Sequence, residues 1–515
     1  MDTENNKRLK TDDIKEIELA SLLQQLIELR RDMVVYASER LEDYKECYPD
    51  NTYSASAWNL ALYLALRRHD LRNLQSELSS KGLSSLGHAE SHILHTINNV
   101  IRLLSLTLQT QTASTPNNIP TVDYHQGILK LKNNSSQLFG DPSGKRNVRI
   151  LVTLPSHAAT DYDFVKSLLE AGMNCARINC AHDSKPQWKA MIANVRKAET
   201  ELGISCKIHM DLAGHKIRTG ALHNSIKKNS ISVSAGEKIV FSRKAQACEK
   251  AVKGDTPEQS TAVTLACTCP AIFDFIEPGE AVWIDDGKIG TIIESADADK
   301  AVLRITHVGP KGGRIKADKG LNFPETELKL PALSEKDLKD LDFVAKNADM
   351  VGFSFVQSLQ DMHQLVNELN NRDAKQLPII AKIETRRAVK KLPEILLGSI
   401  GRHVLGVMIA RGDLAVELGG ERMAEVQEEL LWICEAAHVP VIWATQVLES
   451  LAKKGLASRP ELTDAAMGER AECVMLNKGP YIQDAVRSLA DILSRMEAHQ
   501  QKKRAQLRAL SWWRL

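Results

Sequence analysis

Eight short apolar runs, spaced by amphipathic stretches, constrain this chain more than any other feature. They are VRILVTL (148–154), NCARIN (174–179), CKIHMDL (206–212), ADMVGFSF (348–355), LPIIAKIE (377–384), VLGVMIA (404–410), VPVIWAT (439–445) and ECVML (472–476). Runs this short, with no polar face, suit strands covered on both sides, as in a parallel sheet with helices outside. Eight such repeats predict an α/β fold closed into a (β/α)8 barrel rather than an open sheet. The third and fourth runs are far apart. Between them, residues 221–331 alternate Val, Ile and Thr with polar residues and carry Gly and Pro turns, as in SISVSAGEKIVFS and EAVWIDDGKIGTIIES. That pattern predicts a small β-rich lid domain inserted at the top of strand 3. Without the insert, 147–220 and 332–500 amount to roughly 240 residues, close to the ~250 that such a barrel takes.

The flanks read differently. Leu19, Leu22, Leu26, Leu29 and Met33 recur at helical spacing, as do Ile93, Ile97, Val100, Ile101 and Leu104, with Gly82 and Gly87 between. Residues 1–120 are therefore expected to form an all-α domain. Ser, Thr, Asn and Pro crowd 112–120 (TASTPNNIP), and 133–145 (NNSSQLFGDPSGK) is similar, so 121–146 reads as a linker. The run from Ala485 onward is helix-like, and 501–515 reads as a basic tail in which Trp512 and Trp513 could dock on the barrel or a partner subunit.

Composition excludes several function classes. With 67 Lys and Arg against 65 Asp and Glu, the net charge of +2 gives no footprint for nucleic acid or an anionic membrane. Aromatics at 5% are too few for base-stacking platforms. The nine cysteines include no C-x-x-C pair, and only Cys267 and Cys269 stand close together. A disulfide framework or structural zinc is not expected, and a reducing cytoplasm is. The N-terminus lacks the apolar core of a secretory signal, and no apolar run approaches the ~20 residues that span a bilayer.

In such barrels the chemistry sits at the C-terminal ends of the strands. Strand 2 ends in Arg177 and Asn179, strand 3 in Asp211, strand 5 in Lys382 and Glu384, strand 6 in Arg411 and Asp413, and strand 7 in Thr445. The insert adds Asp286 and Lys319. Glu384 and Asp413, from adjacent strands, are hard oxygen ligands suited to an octahedral divalent cation that completes its shell with water and substrate. The alternative is a structural ion-pair network. Lys382, two residues before Glu384, points to the same side of its strand. Gly412, where strand 6 turns into the next segment, would leave backbone N–H groups facing the mouth as an anion hole. Two cations, two metal carboxylates, an anion hole and a hydroxyl supply what phosphoryl transfer needs, which is positioning and charge neutralisation. Neither a P-loop nor a serine nucleophile elbow occurs.

These residues lie in ordered motifs: LLEAGMNCARIN (168–179), MDLAGHKIRTG (210–220), IDDGKI (284–289), DKGLNFP (318–324), AKIETRRAV (381–389), MIARGDLAVE (408–417) and WATQVLESL (443–451). Together they resemble the pyruvate kinase family over about 147–480. The resemblance implies Mg2+- (or Mn2+-) dependent phosphoryl transfer from phosphoenolpyruvate to ADP, giving pyruvate and ATP. It implies that Arg177 holds the transferring group, Lys382 neutralises it, and Glu384 and Asp413 bind the metal. The amides of Ala410, Arg411 and Gly412 would grip the carboxylate, Ser354 would line the pocket, and Thr445 would serve proton delivery. His182, Arg218 and Lys319 would meet the nucleotide.

Departures from the family's pattern carry their own expectations. Asn179, Asp211 and the Leu212 carbonyl remain of a monovalent-cation site that has lost a Ser and a Thr. Lys216 stands where the family usually has Glu, so its ammonium is expected to replace K+. The loops after strands 1 and 8 (153–157 and 475–479) are also altered. The usual C-terminal α/β domain is missing from this sequence, so fructose 1,6-bisphosphate activation and a tetramer through that domain are not expected. A homo-oligomer of another kind is. The alternative function is a non-catalytic or regulatory homologue whose helical extension binds a partner.

Overall fold

The computed structural model describes residues 11–48, 54–111, 119–142, 144, 146–222, 230–245, 247–250, 263–502 and 504–505. All eight apolar runs form strands: β1 (Arg149–Thr153), β2 (Cys175–Asn179), β3 (Lys207–Asp211), β4 (Met350–Phe353), β5 (Ile379–Ile383), β6 (Leu405–Ala410), β7 (Val441–Ala444) and β8 (Cys473–Leu476). These barrel strands pair in parallel in chain order, and β8 closes on β1 with Arg149 opposite Cys473. The register sets Asn179 and Gly352 on either side of Asp211, which aligns the ends of β2, β3 and β4. Closure also explains the missing polar face. One side of each strand packs inside the barrel, the other beneath the outer helices.

The lid folds separately. An eight-stranded sheet spans Ala221–Asn322 and encloses its own apolar core, centred on Ile239, Phe241, Leu303 and Ile305, with the Phe241 and Phe273 ring centroids 4.6 Å apart. Two antiparallel stems join lid to barrel. Thr219 N donates to Lys319 O at 2.8 Å, and Leu321 N to Ile217 O at 2.8 Å.

The 121–146 segment, expected as a linker, is instead a structural plug. Among the described residues five α-helices precede the barrel: α1 (Thr11–Glu42), α2 (Ala55–Leu66), α3 (Arg72–Ser80), α4 (Ile93–Thr107) and α5 (Tyr124–Phe139). Asp123 and Gln126 start α5 with a reciprocal capping box, and Gly140 ends it at φ 79°. Leu138 and Phe139 enter the N-terminal mouth of the barrel beside Leu151, Cys175, Met350, Ile380 and Met408. Arg149 donates to Gly140 O and Ser136 Oγ at 2.9 and 3.0 Å. The Asn- and Ser-rich composition that suggests a loop supplies the polar ties of this helix: Asn134 Nδ2 donates to His438 O at 2.7 Å, and buried Ser135 donates to Leu131 O at 2.6 Å. The helix-like pattern after Ala485 likewise stops at Met496, and Gln500–Gln501 pairs with Arg504–Ala505. Trp512 and Trp513 lie outside the described residues. No helix among the described residues is long and apolar enough to cross a membrane.

Helices α1, α2 and α4 bury Leu22, Leu26, Leu29, Met33, Leu60 and Ile97 in a core continuous with that of the barrel helices. The junction also contains polar groups. Asn59 Nδ2 donates to Glu90 O and Ala436 O at 2.7 and 2.8 Å, and its Oδ1 accepts from Ile93 N at 3.0 Å. His438, at φ 55° just past helix Gly420–Ala436, occupies a left-handed position more usual for Gly or Asn. Its imidazole lies 2.9 Å from both Ser56 Oγ and Ser91 O, which keeps the ring in place. Burial pushes the His438 imidazole down to about 4. A depressed pKa means that the stability it contributes is full above its ordinary value near 6.5 and is lost as pH falls towards 4. Acidification from pH 6.5 to 4 should therefore lower the unfolding midpoint, with His438 accounting for on the order of 3 kcal/mol. Denaturant titrations across that range should give a flatter profile for His438→Gln; an unchanged slope would refute this role.

Candidate active site

Four charged side chains at the strand ends form one buried row. Arg177, Asp211, Lys382 and Glu384 are each more than nine-tenths buried. Arg177 grips Asp211 Oδ2 with Nε and Nη2 at 2.7 and 2.6 Å and reaches Thr153 Oγ1 with Nη1 at 3.0 Å. Lys382 Nζ lies 3.4 Å from the same Asp211 oxygen, 3.1 Å from Glu384 Oε1 and 2.8 Å from Ser354 Oγ. Ser354 passes the chain on, donating to Leu212 O at 2.7 Å. Glu384 Oε2 accepts from Phe355 N at 2.7 Å, a geometry that requires Phe355 at φ 57°. A bulky residue held left-handed is strained, and strain of this kind clusters at functional sites.

The electrostatics follow from this row. Burial alone would raise the Asp211 carboxyl, but Arg177 and then Lys382 overcome it and hold the group well below the usual carboxylate range. Burial works against the Lys382 ammonium, yet Asp211 and Glu384 more than offset it and raise its pKa. Glu384 is pushed upward by burial and by Asp413, against the pull of Lys382. Two carboxylates that repel one another at the end of a barrel are a donor pair a divalent cation would relieve, so the residues present fit such an ion.

Asp413 is placed by the turn after β6. Helix Arg411–Leu418 begins there, with Ala410 as its N-cap residue. The Gly412 amide donates to Thr445 Oγ1 at 2.6 Å. Thr445 and Gln446 are both left-handed, at φ 65° and 59°. The Arg411 side chain turns away from the row. It bonds Asp464 through both guanidinium ends, reaches Ala444 O and Thr445 O at 3.0 and 2.6 Å, and lies over the Trp443 ring. Arg411 thus holds Thr445 in place by its side chain. Lys216, on the stem, reaches Asp413 Oδ1 at 2.6 Å. Its ammonium meets this carboxylate rather than Asn179, Asp211 or Leu212. Asn179 Oδ1 accepts from Ala181 N at 3.0 Å.

A cavity of about 250 Å³ opens beside the row, lined by Thr153, Arg177, Asn179, His182 and Lys478. Burial, then the charges of Lys478 and Arg218, lower the His182 imidazole, so the three basic groups share this side of the mouth. Arg218 donates to Asp318 O at 3.0 Å. Lys319 stays on the lid, 3.2 Å from Asp285, whereas its neighbour Asp286 is exposed. Sequence reasoning missed Thr153, Lys478, Asp285 and Asp464 as members of this site. Thr153 and Lys478 end or follow barrel strands, so the strand-end rule applied to all eight strands finds both. Asp464, on helix Arg459–Met467, carries no such signal.

Space for the row depends on Gly352. A Cβ there would lie 1.8 Å from Asp211 Oδ1 and 2.5 Å from His209 Nε2, whose imidazole is itself 2.9 Å from Asp211. Gly352→Ala should displace Asp211 and destabilise the barrel by at least ~3 kcal/mol, at the upper end of overpacking costs. A denaturation midpoint within about 0.5 kcal/mol of wild type would contradict this packing.

The protein is thus a closed (β/α)8 barrel with a β-domain inserted after its third strand and a buried charged row at its strand ends. The family model described as pyruvate kinase, barrel domain, matches residues 145–486. The chain is 32% identical to the pyruvate kinase of Geobacillus stearothermophilus over 360 residues, 68% of this chain and 57% of that protein. It is 31% identical to pyruvate kinase 1 of Trypanosoma brucei brucei over 372 residues, 71% and 70% of the two chains. With rat (Rattus norvegicus) pyruvate kinase PKLR the identity is 32% over 358 residues, 67% and 59%. This chain belongs to the pyruvate kinase family. Its match spans less than two thirds of the Geobacillus and rat proteins.

Proposed function

We propose that this chain catalyses phosphoryl transfer from phosphoenolpyruvate to ADP, giving pyruvate and ATP. The observation that carries the reading is the buried Arg177–Asp211–Lys382–Glu384 row facing Asp413. Its two cations are fixed before substrate arrives, where the low dielectric strengthens their action on a phosphoryl group. In the transfer, the bond from phosphorus to the enol oxygen breaks as a β-phosphate oxygen of ADP bonds to phosphorus. Arg177 and Lys382 take up the charge on the equatorial oxygens. The enolate carbon then gains one proton by way of Thr445, giving pyruvate. The amides of Ala410, Arg411 and Gly412 orient the substrate carboxylate, and Ser354 holds the Lys382 ammonium. His182, Arg218 and Lys319 guide the nucleotide from the lid side. Glu384 and Asp413 would hold Mg2+ or Mn2+, which when bound supplies charge neutralisation for substrate oxygens.

Independence from K+ fits the same geometry. Asp211 is taken by Arg177 and Lys382, and the Leu212 carbonyl by Ser354, while Lys216 supplies a fixed positive charge nearby at Asp413.

A coupled assay of pyruvate formation, with and without Mg2+ and K+, tests the reading. Wild type should turn over with Mg2+ and no K+. Lys382→Met should reduce turnover by about 10²–10³ or more while metal binding persists. Lys216→Glu should introduce a K+ requirement. Binding of Mg2+ and phosphoenolpyruvate without turnover would make the chain a non-catalytic homologue; activity only with K+ would refute the Lys216 assignment.

A further inference from the structure

Three parts of the lid reach one short barrel helix, Arg411–Leu418, which starts directly after β6. Asp413 in its first turn accepts from Lys216 of the outgoing stem at 2.6 Å. Val416 lies under the turn between lid strands Ala281–Ile284 and Ile289–Ala296, where a Cβ on Gly287 would come 3.5 Å from its side chain. Glu417 meets the returning stem: Asn322 Nδ2 donates to Glu417 Oε1 at 3.4 Å. Because the lid has its own core and hangs on two stems, these contacts decide how firmly it sits.

Glu417 is the unusual member. It is 7% exposed, yet among the described residues its carboxylate forms no ion pair. The Arg386 guanidinium donates instead to the Glu417 backbone carbonyl at 3.1 Å, and only the Arg386 amide serves the carboxylate. A carboxylate buried without a counter-ion is costly, and the usual relief is to keep its proton. Burial, with a smaller push from the Asp413 charge, raises the Glu417 carboxyl to about 7 against the donors Asn322 and Arg386. Other charged groups nearby are engaged or in water. Lys216 is bonded to Asp413, Arg387 to Glu327 and Lys391 to Glu394, and Asp361 accepts from Ser358 N. Glu325 accepts from Ala281 N, while Lys329, Lys390, Glu421 and Arg422 are exposed. Strand β6 brings no titratable side chain. His215, which lines the same cleft of about 670 Å³ as Glu417, is the rival group whose charge changes near neutrality.

We infer that Glu417 is a proton-operated latch for the lid: protonated, it stays buried beneath Asn322 and the lid is seated; ionised, it takes up water from the adjoining cleft and the stem lifts. The sign follows from linkage. A carboxyl held above its ordinary 4.5 in the seated state contributes to seating fully below 4.5, and that contribution is lost as pH rises to about 7. The latch works whether or not the chain transfers phosphoryl groups.

Single-molecule energy transfer on the full chain tests this, with no divalent ion or substrate present. Dyes on keto-bearing residues placed at Lys311 of the lid and Lys375 of the barrel, both exposed, report the lid position and leave the native cysteines alone. The open-to-seated ratio should rise about tenfold from pH 6 to pH 8 and then level off. Glu417→Gln should hold the ratio at its low-pH value throughout, and His215→Gln should leave the rise intact. Asn322→Leu removes a donor that favours the ionised form, so the rise should continue beyond pH 8. Melting curves identify a variant that fails to fold; if Glu417→Gln does, Asn322→Leu carries the comparison. A flat ratio in wild type, a rise that persists in Glu417→Gln, or one that His215→Gln abolishes overturns the latch. So does an Asn322→Leu profile that levels off where wild type does.

Discussion

The Asp211 carboxylate is the interaction on which the rest of the site depends. A fully buried carboxylate without partners would lose several kcal/mol of hydration. Arg177 and Lys382 converge on one of its oxygens and make the charge tolerable. In return Asp211 fixes both cations, each of which would otherwise have many rotamers and its own desolvation cost. Removal of Asp211 would leave two positive charges facing one another in a dry barrel end. Gly352 on the adjacent strand is part of the same device, because only the absence of a side chain leaves room for the carboxylate and the His209 ring.

The constellation is rigid because its supports are rigid. Each charged group stands on or directly after a strand paired on both sides, and the barrel interior is filled from below by Leu138 and Phe139 of α5. A barrel of short strands has two mouths. One serves chemistry; the other must exclude water, and here the helix before β1 does so. The N-terminal helices then continue the apolar core outward, and the polar contacts of Asn59 and His438 fix where they dock. Apolar burial supplies most of the attraction at that junction, while the hydrogen bonds select one orientation.

Much of this was legible in the chain. The eight strands were, because burial on both faces leaves an unbroken apolar run whose length matches a barrel wall. The inserted domain was, because its alternation has a different period. The charged row was, because strand ends point to one mouth once the barrel is granted. Residues 121–146 were not: Asn134, Ser135 and Ser136 bond within a capped helix and to the barrel rather than forming a loop, and only contact with the barrel mouth distinguishes the two. Nor was the part played by Arg411. Its place just after β6 pointed only to a backbone amide at the substrate carboxylate; the guanidinium turns to Asp464, more than fifty residues later in the chain, and braces Thr445.

The amino-acid sequence by itself determined which segments become strands and which charged residues stand at their C-terminal ends, since both follow from local period and spacing. Tertiary structure alone decided which of those charges meet. Asp211 joining Arg177 to Lys382, and Lys216 reaching Asp413, are both contacts across distant segments. Such pairings depend on strand register, on where a glycine leaves space, and on how the lid stem lies against the barrel. Periodicity carries no record of these, because it describes a residue's own element and not the side chain that closure brings opposite.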